Sequence, residues 1–231
     1  MPGSEAFLRE YHAAHAGVTS RAFARGGSYE RLAARVADAR RILDLGCGDG
    51  HLLSLLGPRA VGIDMSPEEL ALARGLPAVR GRAQELPFAD GAFDAVVSHL
   101  VFMLLDEPAR VVAEIDRVLA QRGAFHAVIG AGPTAEGRDA FHAFLEHNKP
   151  RGVALGDPRA KSEAGWNEMF AGWRIEFERW PIDLSGPFDE VYYHLSTTYQ
   201  AQGDVRAELR AEFGDAHLPF TIVLYCATAT R

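Results

Sequence analysis

Cysteine is scarce, with two in 231 residues. Cys47 falls in a glycine turn and Cys226 in a late apolar segment, a number and spacing that exclude a zinc site or a disulfide framework. Both read as small packing residues. No apolar run approaches the roughly 20 residues that a membrane span needs. The opening "MPGSEAFLREYHAAHAG" breaks its apolar positions with charges, unlike a secretory signal. These absences predict a cytoplasmic protein with no membrane partner. A basic stripe is missing as well. The formal charge of −7 argues against a partner read through its phosphates, so no nucleic acid is expected and small molecules or proteins are. Internal repeats and low-complexity segments are also lacking. The composition is otherwise ordinary, 48% apolar and 24% charged, and supplies the core of one domain over residues 1–231, monomeric or homodimeric.

The organisation is an alternation of short units. "SYERLAARVADARR" from Ser28 has Tyr29, Leu32, Ala33 and Val36 at helical spacing and runs into the strand "ILDL". "HLLSLL" is a helix stopped at Gly57-Pro58, and "AVGID" is a strand. "SPEELALAR" is a helix with Ser66 as cap, Pro67 at its first position and Glu69 closing a capping box. "FDAVVS" is another strand. Asp106 is expected to cap the helix "EPARVVAEIDRVLA", and Gly123 to end it before the strand "AFHAVIG". Strand and helix in turn mean an α/β protein with a parallel sheet. Beyond Gly132, helices are expected over "TAEGRDAFHAFLEHN", "SEAGWNEMFA", "FDEVYYHLSTTY" and "VRAELRAEF". "WRIEFER" and "FTIVLYCATA" are strands, and the short helical connection between these two predicts an antiparallel closing strand.

The stretch "LGCGDG" places Gly46, Gly48 and Gly50 between the first strand and the helix that follows. In an open α/β sheet this loop is the default ligand site, and glycines there let a ligand approach the main chain. A dinucleotide expects G-x-G-x-x-G and a pyrophosphate at the helix start. Here the spacing is one residue shorter, and Asp44 and Asp49 offer carboxylates where phosphate needs donors. A cationic ligand such as S-adenosylmethionine suits that charge better, although Asp49 also reads as a plain helix cap. Asp64 ends the second strand, 18 residues after Gly46. It can accept from both hydroxyls of an adenosine ribose, which either cofactor would provide.

"ILDLGCGDG", "VGIDMSPEEL", "AQELPFADGAFDAVVSHL" and "EIDRVLAQRGAF", in this order over about residues 40–130, resemble successive motifs of the class I S-adenosylmethionine-dependent methyltransferases, in the branch acting on small metabolites. The resemblance implies a Rossmann-like, mostly parallel seven-stranded sheet with an antiparallel last strand and helices on both faces. It divides the chain into N-terminal lid helices (1–40), a cofactor-binding half (41–130) and a substrate-side half with helical insertions (131–231). It implies that Gly46, Cys47 and Gly48 give the close backbone with Asp44 nearby, that Asp64 holds the ribose, and that Met65 flanks the adenine. Ala83 and Gln84 would meet the adenine edge, Ser98 and His99 the methionyl end, and Arg21 or Tyr29 the cofactor carboxylate. Relatives carry an acidic residue just before the alanine, where this chain has Arg82, a donor only; Gln84 can accept in its place.

Methyl transfer is a displacement at carbon that requires alignment and desolvation, with a base where the acceptor must lose a proton. His99, after the strand "DAVVS", is the candidate base, and packing against the cofactor is its alternative role. Tyr11, His12 and His15 belong to the lid segment. His142, His147 and the pair Tyr192-Tyr193 belong to the substrate-side insertions, and together these rings point to an aromatic or heterocyclic acceptor. The prolines that mark nucleic-acid amino-methylating relatives are absent after the fourth strand, where Ser98-His99-Leu100-Val101 stands. The acidic ligands of the catechol-type group are absent too, so no metal is expected. Transfer of a methyl group to O, N or C of a small metabolite is the expected function. A binding protein that keeps the cofactor without using it, and a nicotinamide-dependent oxidoreductase, are the rivals.

Overall fold

The computed structural model describes residues 4–148, 155–199, 201 and 203–231. Residues 149–154, part of the polar loop that the sequence predicts from the end of "TAEGRDAFHAFLEHN" to Pro158, lie outside these. Seven strands form the main sheet: β1 (Ile42–Leu45), β2 (Ala60–Asp64), β3 (Ala78–Arg80), β4 (Phe93–His99), β5 (Leu119–Pro133), β6 (Arg174–Asp183) and β9 (Thr221–Thr230). Their order is β3-β2-β1-β4-β5-β9-β6. The pairs from β3 to β5 are parallel, whereas β9 runs antiparallel to both β5 and β6. This is the mostly parallel sheet with an antiparallel last strand that the sequence predicts. A small ribbon, β7 (Gly186–Pro187) with β8 (His217–Leu218), stands apart.

The ten helices described are α1 (Ser4–His15), α2 (Val18–Phe23), α3 (Ser28–Arg35), α4 (His51–Leu56), α5 (Pro67–Leu72), α6 (Pro108–Val118), α7 (Ala140–Asn148), α8 (Glu163–Met169), α9 (Phe188–Ser196) and α10 (Arg206–Phe213). None is long and apolar enough to cross a membrane. All four residues of β1 are buried, as a central parallel strand covered on both faces requires. One face packs Leu32 of α3 and Leu52, Leu53 and Leu56 of α4 together with side chains from α7, α9 and α10. The opposite face packs Val111, Ile115 and Val118 of α6 against Phe125, Trp166 and Phe170. With both faces covered, the loops at the carboxyl ends of β1, β2 and β4 are left to form a site.

Several element boundaries differ from the sequence reading, each for a local reason. The N-cap of α6 is Glu107, at φ 53°, and not Asp106. The Asp106 carboxylate instead accepts from the N–H of Glu5, which carries α1 into place. Helix α6 stops at Val118, so Gly123 lies within β5 rather than at the helix end. The helix expected from Thr134 starts at Ala140, because β5 runs on to Pro133 and Asp139 accepts from the N–H groups of Phe141 and His142. Only half of the capping box forms: Ser66 Oγ accepts from the N–H of Glu69, while the N–H of Ser66 goes to Asp64 and not to Glu69. Strand β3 has three residues, too few for a periodic signal.

Candidate active site

A cavity of about 290 Å³ opens beyond β1, β2 and β4, under α1, α2 and the chain that follows α9. Its floor is the glycine turn. Gly46, Gly48 and Gly50 have φ of 75°, 53° and 83°, the left-handed region that favours glycine. They serve different needs. A Cβ at Gly46 would come 2.5 Å from Val101 and one at Gly50 2.4 Å from Leu76, so these two are dictated by the protein's own packing. A Cβ at Gly48 would meet nothing nearer than a Glu69 oxygen at 3.7 Å. Gly48 therefore presents bare backbone to the cavity.

Carboxylates surround that backbone. Asp64 Oδ2 accepts from the N–H of Gly48 at 2.9 Å and Oδ1 from the N–H of Ser66 at 2.8 Å, which fixes the carboxylate at the end of β2. Burial raises its pKa, and the Ser66 and Gly48 donors draw it back. Asp44, only 1% exposed, has an Oδ2 with no hydrogen-bond partner among the described residues. Burial, then the neighbouring Asp64 and Asp49, push its carboxyl up to about 8. Asp49 accepts from Ser20 Oγ and, at 3.3 Å, from the N–H of His51, so it joins α2 to the start of α4. Glu69 accepts from the N–H of Gly17 at 3.1 and 3.2 Å and faces His12 Nδ1 at 2.8 Å. A buried carboxylate oxygen without a donor, among further carboxylates, fits a ligand that brings positive charge. It does not fit a pyrophosphate.

Of the residues expected at the cofactor, Asp44, Gly46, Cys47, Gly48, Asp64, Met65, Ala83, Gln84 and Tyr29 line this cavity, as does His99. Gln84 donates its Nε2 to the carbonyl of Asp106 at 2.9 Å, which leaves its amide oxygen as an acceptor. Arg82 pairs with Glu5 of α1 at 2.7 Å. Burial raises the Cys47 thiol pKa, and this side chain fills the space over Gly62.

Two expected residues are not brought in. Ser98 is fully buried but does not line the cavity, because alternation along β4 puts it on the face opposite Val97 and His99. Arg21 lies on the exposed side of α2, where its guanidinium donates to the carbonyl of Ala16, and it does not line the cavity either.

His99 sits beneath Tyr29, their rings stacked at 3.8 Å. Its Nε2 is 2.9 Å from Ser28 Oγ, and its Nδ1 is buried without a partner among the described residues. Burial, with His51 close by, pushes the imidazole down to about 3, so the ring is neutral. Among the roof residues, Tyr11 and His12 reach the cavity, whereas His15 packs beside Tyr11. Tyr192 is tied to Asp204 at 2.6 Å, Tyr193 is exposed, His142 caps its own helix through Asp139, and exposed His147 stays outside. The substrate-side segment contributes His194, Thr197, Thr198 and Tyr199 instead. Glu69, which reads from the sequence as a helix cap, and His194 and Tyr199 were not assigned to the site by the sequence, although a glutamate in the motif after Asp64 was a signal for the first.

Comparison with known proteins follows the same lines. A family model described as a methyltransferase domain matches residues 43–127. A malonyl-[acyl-carrier protein] O-methyltransferase of Legionella pneumophila is 39% identical over 107 residues, covering 41% of this chain and 38% of that protein. The methyltransferase YcgJ of Bacillus subtilis is 28% identical over 202 residues, covering 80% and 76% respectively. The chain thus spans well under half of the Legionella relative and about three quarters of the Bacillus one. The crystal structure of YcgJ superposes with a TM-score of 0.59 at 21% identity over 88% of this chain and 98% of that one, a likeness of fold. Domain match, strand order and acid-lined glycine turn agree: residues 43–127 are similar to a methyltransferase domain, set in a sheet that shares its fold with the YcgJ structure.

Proposed function

We propose that the chain transfers a methyl group to an oxygen, nitrogen or carbon atom of a small aromatic or heterocyclic molecule. The observation that carries this reading is the unpartnered Asp44 oxygen, buried beside the open backbone of Gly48 and next to a chamber walled by rings. S-adenosylmethionine, when bound, supplies a methyl carbon activated by positive sulfur. Asp44 offers the negative partner for that cation, Asp64 accepts from the ribose hydroxyls, Met65 lies against the adenine, and the Gln84 oxygen accepts from its amino group. Tyr29 borders the methionyl end.

The acceptor side works by alignment and exclusion of water. Phe23, Tyr29, Leu100 and Met103 wall it. His99, the base expected from the sequence, has its Nε2 engaged by Ser28 and its Nδ1 sealed, and its contribution is to hold Tyr29 and the chamber wall in place. An acceptor that carries its own lone pair suits such a site.

Calorimetric titration with S-adenosylmethionine, S-adenosylhomocysteine and NADH, followed by transfer of labelled methyl to a panel of phenols, amines and heterocycles, tests the proposal. Binding of the first two with labelled product supports it. Binding without transfer to any acceptor assigns the chain as a binding protein. NADH binding alone overturns both.

A further inference from the structure

The ring chamber holds a second imidazole besides His99. Phe23 meets the His99 ring edge-on at 5.9 Å and the His194 ring edge-on at 5.2 Å. On its other side His194 meets Phe220 at 5.2 Å. The two histidines differ in what their nitrogens do. His99 has one nitrogen engaged by Ser28 and the other sealed. His194 lines the cavity, and neither of its ring nitrogens has a hydrogen-bond partner among the described residues. Burial, with Arg25 nearby, pushes its imidazole down to about 4, so the ring is neutral and keeps one donor and one acceptor. A half-buried imidazole held between two phenyl rings, with no partner among the described residues, has its nitrogens free to bond a molecule in the cavity.

The charges of the cavity add a second constraint. Asp44, Asp49, Asp64 and Glu69 all line it. Of the arginines lining it, Arg9 and Arg82 both pair with Glu5. An anionic acceptor would meet carboxylates and, among the described residues that line the cavity, no unpaired arginine.

Resting on the methyltransferase reading above, we infer that His194 is the specificity-determining residue of the acceptor subsite, hydrogen-bonding an uncharged aromatic molecule that bears a hydroxyl or ring N–H group. The ring of that molecule packs against Phe23, and its polar group satisfies His194.

The test uses the protein saturated with S-adenosylhomocysteine and three probes of similar size: phenol, toluene and benzoate, titrated by ligand-observed NMR. Phenol should bind about fivefold or more tightly than toluene, the scale of one hydrogen bond, and benzoate should bind more weakly than either. His194→Phe should bring the phenol-to-toluene ratio to about one while S-adenosylhomocysteine affinity stays unchanged. An unchanged ratio, or benzoate binding as tightly as phenol, overturns the inference. Should His194→Phe misfold, the ring ¹⁵N shifts of His194 in the unaltered protein decide: movement with phenol and none with toluene supports the assignment, and no movement refutes it. If S-adenosylhomocysteine itself fails to bind, the methyltransferase reading falls, and the same shifts read on the unloaded protein still judge His194.

Discussion

His12 Nδ1 stands 2.8 Å from Glu69 Oε1, and the opposite nitrogen of the same ring stands 3.1 Å from the Tyr199 hydroxyl. One histidine on α1 thereby ties the start of α5 to the chain beyond α9, and the same glutamate holds the N–H of Gly17. Removing the carboxylate strands a backbone donor and an imidazole together. Glu69→Ala should weaken closure of the 4–23 segment by about 1–3 kcal/mol, read as faster amide exchange at residues 12–20 with exchange in β1 and β4 unaltered. Equal exchange in the variant would show that the roof is held by its apolar contacts alone.

Asp44 gives a pH dependence whose two signs oppose. Its carboxyl is raised to about 8 by burial and by Asp64 and Asp49, so it is largely protonated in the ligand-free protein at neutral pH. A cationic ligand needs it ionised. Affinity for S-adenosylmethionine should fall as pH drops below about 8, by up to about tenfold per pH unit for one coupled proton, and less for the uncharged-sulfur product. Stability of the ligand-free protein goes the other way: the folded pKa exceeds the unfolded one, so this group becomes less destabilising as pH falls from about 8 towards 4. Asp44→Asn should flatten the affinity profile, weaken binding at pH 8.5 and raise the ligand-free Tm there, by about 2–4 °C per kcal/mol relieved. Calorimetry and thermal melts across pH check both.

Asp64→Ala should weaken cofactor binding by at least about 1 kcal/mol, the scale of a charge-assisted hydrogen bond. Because Asp64 also accepts from Gly48 and Ser66, the melting temperature should fall as well. Asp64→Asn, which keeps one acceptor oxygen, should lose less of both. Unchanged affinity in the alanine variant would remove Asp64 from the site.

His99 is depressed to about 3 by burial and the neighbouring His51. A histidine with a lowered folded pKa contributes stability above its unfolded value of about 6.5, and that contribution is lost as pH falls from there towards about 3. His99→Phe should therefore make stability less steep between pH 6.5 and 4 in urea titrations. If His99 acts only as a wall, the acid limb of turnover should be the same in His99→Asn as in the parent. Loss of turnover well beyond any change in cofactor affinity would instead make it the base.

Much of this was legible before folding. The alternation of strand and helix, the glycine turn and the placement of Asp64 follow from short-range pattern alone. What failed depended on partners far along the chain. Glu69 sits three residues after Ser66 and reads as a local cap, yet Gly17, 52 residues away, takes its carboxylate. Ser98 and His99 show another limit: β4 is buried on both faces, so no polar alternation marks which neighbour faces the cavity. On α9 the expected pair Tyr192-Tyr193 misses the site and His194 reaches it, because the phase of a helix against its neighbours is set by packing.

Strand β9 fills the gap between β5 and β6, although it follows both in the chain. Until residues 221–230 leave the ribosome, those two strands share no neighbour and β6 has nothing to pair with. The glycine turn with its carboxylates can assemble on β1, β2 and β4 well before then, so the cofactor cradle should mature first during synthesis, with the acceptor chamber completed last.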